Sequence, residues 1–202
     1  MEGIFMKKIS FLLFVSMFVY ALTTFAQPDD ANSNAPPKPL DDNIHQWMIG
    51  EWTGTSESNM GSAKEWQKCE WACDKQYVLV QYTSQFTKLN PDFLKMNAEQ
   101  MKMSVEEVEK MMMGSKYTGL GVLTMDPKSG EYLGQWYDNW RGSYKGRGKL
   151  DGKKVMMHWE GTMGPSDRTV GFEDENTMIW SFKENMSGSA VEGKSTFTRK
   201  KK

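Results

Sequence analysis

Trp47-Met48-Ile49-Gly50-Glu51-Trp52-Thr53-Gly54, set against Phe197-Thr198-Arg199 at the far end of the chain, decides the fold. A short apolar turn runs into a Gly-x-Trp on what reads as the first strand. An aromatic and an arginine stand on the last strand, just ahead of the basic tail Lys200-Lys201-Lys202. The pairing predicts a single antiparallel sheet closed on itself, with its last strand lying beside its first.

The chain between these stretches supports that closure. Short β-forming runs fall at 51–57, 64–71, 76–86, 117–125, 131–138, 142–150, 153–161, 168–173, 177–183 and 191–199, divided by turn chemistry. Asp126-Pro127-Lys128-Ser129-Gly130 and Asp151-Gly152 are the clearest turns. About ten strands with no alternating helices predict an all-β, antiparallel up-and-down barrel, opened by a short helical turn over Ile44–Ile49. Residues 90–114 break the pattern. Ser104 and Glu107 form a capping box and Gly114 is a natural stop, so one or two short helices are predicted between the third and fourth strands. That insertion holds Met96, Met101, Met103, Met111, Met112 and Met113 of the chain's 17 methionines.

The N-terminus reads as an address. Lys7 and Lys8 precede an apolar run from Ile9 to Leu22, and Thr24-Phe25-Ala26 offers a cleavage site, which predicts a signal peptide over 1–26 and an exported, periplasmic or secreted protein. Residues 27–43, rich in Pro, Asn, Asp and Ser, predict a disordered tether ahead of a single domain at 44–202. With 25 basic and 26 acidic residues the chain is near neutral, which argues against a nucleic-acid partner. Once the leader is removed, no integral membrane segment is expected. The two cysteines, Cys69 and Cys73, are predicted to form a disulfide in an oxidising compartment, provided a turn or bulge between them shortens their separation.

Gly50-Glu51-Trp52-Thr53-Gly54, Gln76-Tyr77-Val78-Leu79, Gly134-Gln135-Trp136-Tyr137-Asp138, Leu150-Asp151-Gly152-Lys153 and Asp167-Arg168-Thr169-Val170 together carry a resemblance. Over residues 44–200 the chain resembles the calycin group of lipocalin-like barrels. More closely, it resembles a family of small exported bacterial proteins with a lipocalin-like domain of unknown function. The resemblance implies that Arg199 of the last strand covers Trp52 of the first, making the two a structural closure. The Met-rich insertion and the Cys69/Cys73 pair depart from the general pattern.

Period-two parity picks out the interior. Met178, Trp180 and Phe182 share a face, as do Val155, Met157 and Trp159; Arg168, Val170 and Phe172; and Trp136 with Asp138. His158 falls outward. The ligand-binding candidates are therefore Trp136, Trp159 and Trp180 as cavity lining, with Asp138 and Arg168 as the polar end. Arg168 reads either as an anchor for an acidic or polar head group or as half of a structural ion pair with Asp138. No catalytic or metal-ligating residue and no cofactor is assigned, because no nucleophile, zinc or phosphate-loop motif is present. These residues predict non-catalytic binding of a small apolar or amphipathic molecule. One alternative is an enzyme on the same barrel, with Arg168 and Asp138 polarising a lipid-like or cyclic substrate. Another is a structural or interaction protein using the methionine helices, which through their thioethers also suit Cu(I).

Overall fold

The computed structural model describes residues 36–201 except Met163, Ser187 and Gly188. The leader expected over 1–26, and the tether as far as residue 35, lie outside the described residues. Ten strands form one closed antiparallel barrel: β1 (Gly50–Ser58), β2 (Gly61–Ala72), β3 (Tyr77–Leu89), β4 (Tyr117–Met125), β5 (Tyr132–Asp138), β6 (Ser143–Asp151), β7 (Lys154–Gly161), β8 (Ser166–Asp174), β9 (Thr177–Met186) and β10 (Ser189–Arg199). Every strand pairs with its neighbours in sequence, and β10 returns to β1 to close the ring. A ring of this kind leaves no edge strand unpaired. This is the up-and-down, lipocalin-like barrel predicted from the strand count.

The closing register sets Trp52 opposite Arg199. The Trp52 side chain is fully buried and donates its indole N–H to the Met48 carbonyl at 2.8 Å. The Arg199 guanidinium lies 4.2 Å from the indole centroid. It donates to the carbonyls of Ile49 (2.5 Å), Trp47 (2.6 Å) and Glu175 (2.8 Å). One planar fork thus ties the first strand, the last strand and the β8–β9 turn to the entry helix α1 (Asn43–Met48).

The barrel unit begins at Lys38, ahead of the boundary expected at Ile44. Leu40 is buried and its N–H donates to the Lys75 carbonyl, so the end of the expected tether is part of the fold. Asp42 caps α1 through the His45 N–H. It also meets His45 Nδ1 at 2.5 Å and accepts from the Tyr132 hydroxyl at 3.0 Å. Burial works to raise the Asp42 carboxyl, but the hydrogen bonds from His45 outweigh it and bring it down to about 2. This end of the barrel is plugged.

At the other end the insertion forms two helices, α2 (Pro91–Met101) and α3 (Val105–Gly114). Asn90 caps the first, and the Ser104–Glu107 capping box starts the second. Lys102 turns the chain between them in the left-handed region, with φ 55°. Leu94, Ala98 and Val108 bury against Leu89 of β3, with Phe86, Phe93, Met103, Met112 and Met113 around them. Part of the methionine enrichment is therefore packing in a small second core.

The expected disulfide is corrected. Cys69 is fully buried on the inner face of β2, Cys73 is exposed, and both are free thiols. The β2 strand stays extended through Ala72, so about four rises of ~3.3 Å separate the pair, and the turn that would join them starts only at Cys73. Burial pushes the Cys69 thiol up to about 12. A maleimide should therefore label Cys73 alone in native protein and both thiols after unfolding; an unreduced protein that labels at neither, native or denatured, would restore the disulfide.

Candidate functional site

The barrel is open inside. A cavity of about 910 Å³ runs from Ile44, His45 and Met48 of the plug to Phe93, Met96, Met101, Met111 and Met112 of the lid helices. Trp136, Asp138, Trp159, Arg168 and Trp180, the five residues chosen by parity, all line it. Alternation along the strands explains this: Tyr137 is exposed between Trp136 and Asp138, and His158 points outward to Asp167 at 2.7 Å.

Space for the cavity comes from glycines on the inner face. A Cβ on Gly119 of β4 would run into the Trp136 indole, and one on Gly121 would meet it at 2.8 Å. A Cβ on Gly134 or Gly146 would meet the Trp159 indole at 2.5 or 2.6 Å. Gly121 faces Trp136 across the β4–β5 ladder, and Gly146 faces Trp159 across β6–β7. Both indoles therefore lie flat on bare backbone instead of standing up into the lumen.

The aromatic wall is continuous. Tyr82 stacks on Trp180 at 5.8 Å and meets Trp136 edge-on at 5.9 Å and Tyr117 at 6.0 Å. The Trp136 indole donates to the Tyr117 hydroxyl at 2.9 Å. Burial pushes the Tyr117 hydroxyl up to about 12 and carries that of Tyr82 well above its ordinary value.

Arg168 and Asp138 do not pair with each other, which corrects the expected ion pair. Arg168 donates to Glu184 at 3.2 Å and to the Ser166 hydroxyl at 3.2 Å. Register explains the choice, because Glu184 stands opposite Ser166 across the β8–β9 ladder. Asp138 is occupied at the mouth. Its Oδ1 accepts from the Trp140 and Gly142 N–H groups at 2.9 and 2.8 Å, and Tyr117 approaches its Oδ2 at 3.3 Å. Asp138 thus holds the β5–β6 turn, and Trp140 stands exposed beside it.

Two site residues were not picked out by the strand pattern. Glu65 of β2 is 8 % exposed, and its Oε1 accepts from the Tyr82 hydroxyl at 2.6 Å. Its Oε2 has no hydrogen-bond partner among the described residues. Burial pushes the carboxyl up, against the hydrogen bond of Tyr82, the nearby Ser195 and Ser56 hydroxyls and the charge of Arg168. The signal available in sequence was the outward set Lys64, Lys68 and Glu70, which leaves Glu65 on the opposite face; Trp66 obscured it by being the outward aromatic, bonded to Glu51 at 2.8 Å. His45 is the other. It is buried, lines the cavity floor and stacks on Tyr132 at 5.1 Å, and a six-residue helix offers no repeat from which to read its direction. The indole N–H groups of Trp159 and Trp180 are also buried without a partner among the described residues.

No family model matches this chain, and no curated protein matches it. Among solved structures it is similar to an S-type phycobiliprotein lyase from Guillardia theta, at 8% identity and a TM-score of 0.53, over 79% of this chain and 92% of that one. A de novo designed fluorescence-activating β-barrel aligns at 12% identity with a TM-score of 0.40, over 79% and 100% of the two chains. The likeness to the lyase is one of fold. The closed ten-strand ring fits a calycin-like barrel. No helix among the described residues is long and apolar enough to cross a membrane.

Proposed function

We propose that the protein binds one small apolar or amphipathic molecule inside its barrel, as an exported carrier or scavenger. The observation that carries this reading is the open cavity of about 910 Å³, within the size range of ligand pockets and walled by Trp136, Trp159, Trp180 and Tyr82. A barrel of this girth can be filled by its own side chains. Here inner-face glycines keep the indoles against the wall. The export half of the proposal rests on the composition of residues 1–26.

Denaturing organic extraction of protein purified from its own source, followed by mass spectrometry, is expected to recover one compound in about one-to-one ratio with the chain. An extract of the unaltered protein without a stoichiometric compound would count against the binding reading.

A catalytic reading is favoured by one observation. Glu65 is a carboxyl whose proton affinity burial has raised, inside an aromatic chamber, which is how a general acid is made. Incubating the extracted compound with fresh protein separates the two: an unchanged mass supports the carrier, a changed one the enzyme.

A further inference from the structure

The charge balance of the cavity points to the kind of molecule it takes. Among the described lining residues, Glu65, Asp92, Asp138 and Glu184 are acidic, and Arg168 is the one lysine or arginine. That arginine is already neutralised by Glu184. An acidic head group would therefore enter a chamber with an excess of carboxyls and its one guanidinium engaged. The unmet demand is of the opposite sign. Glu65 lines the cavity, and its buried Oε2 accepts no hydrogen bond among the described residues, although the Ser56 and Ser195 hydroxyls are near the carboxyl. The carboxyl is fixed through its other oxygen to Tyr82, whose ring is stacked on Trp180 and set edge-on to Trp136. A carboxylate tied to one ring of an aromatic cluster that lines the same cavity is an arrangement that can recognise an ammonium group, by the charge of the carboxylate and by the quadrupoles of the ring faces left open to the cavity.

We propose that the cavity is selective for organic cations, seating a protonated nitrogen against Glu65 and the rings of Tyr82, Trp136 and Trp180 while an apolar body fills the space toward the lid. This rests on the binding reading above and specifies its ligand class. It also reverses the role that the sequence suggested for Arg168, which serves to balance Glu184 and not to hold an acid.

The test uses three probes with one body and three charges: 2-naphthylmethylamine, 2-naphthylmethanol and 2-naphthoic acid, each titrated calorimetrically into the whole protein at neutral pH. The amine is expected to bind about tenfold or more tighter than the acid, with the alcohol between them. Glu65→Gln is expected to weaken the amine by about tenfold and to leave the alcohol within about twofold. The order among the three in the unaltered protein decides the matter even where that variant fails to fold. An acid that binds as tightly as the amine, or an amine indifferent to a folded Glu65→Gln, would overturn the selectivity while leaving the cavity reading in place. Failure of all three to bind would overturn the cavity reading and the selectivity together.

Discussion

Trp52→Ala is expected to cost about 4 kcal/mol of stability, the loss typical of a fully buried large aromatic. More than an indole disappears. The Met48 carbonyl loses its donor, and the Arg199 guanidinium loses the ring it lies over at 4.2 Å. Arg199→Ala is expected to cost about 2 to 3 kcal/mol, because the carbonyls of Trp47, Ile49 and Glu175 lose one shared partner. Arg199→Lys should recover little, since an ammonium cannot present a planar fork to three acceptors. Urea unfolding followed by circular dichroism reads all three. A Trp52→Ala loss below about 1 kcal/mol would mean that the barrel is closed by its ladder alone.

Gly146→Val carries the largest expected effect on binding. A Cβ at this position meets the Trp159 ring at 2.6 Å, and Gly134, paired with Gly146 across the β5–β6 ladder, forms the bed under the far end of the same indole. The ring must swing off its bed into the cavity. Overpacking of this kind costs about 1 to 3 kcal/mol, so the protein should fold. The cavity should then lose much of its usable width, and affinity for an apolar probe should fall by about tenfold or more. Gly152→Ala is the control. It lies in the β6–β7 turn, where an added Cβ would meet nothing within 4 Å, and it should cost stability through its positive φ of 61° while leaving affinity unchanged. Equal affinity in Gly146→Val and the unaltered protein would place the binding surface elsewhere.

The barrel itself was legible because local signals agreed with one another. Asp126-Pro127 and Asp151-Gly152 end strands where the ladders end, and period-two alternation sends Trp136, Trp159 and Trp180 to one interior. What was not legible depends on contacts across the ring. Arg168 meets Glu184 because of the β8–β9 register, and no pattern within β8 alone announces that partner. Glu65 was hidden by the convention that the aromatic of a strand faces inward, which Trp66 breaks by bonding Glu51 on the outside. The glycine beds were visible as Gly119-Leu120-Gly121, Gly134 and Gly146, but their meaning required knowing which indoles lie over them. The cysteine pair misled because the expectation of export made a disulfide the chemical default, while β2 remains extended to Ala72.

The most direct test of an open, ligand-accepting barrel is calorimetric titration of 2-naphthylmethanol, the uncharged probe, into the intact protein at several temperatures. One saturable site per chain with a negative heat-capacity change is the predicted result, the mark of apolar surface leaving water on entry to the cavity. Absence of saturable binding at any of those temperatures would contradict it.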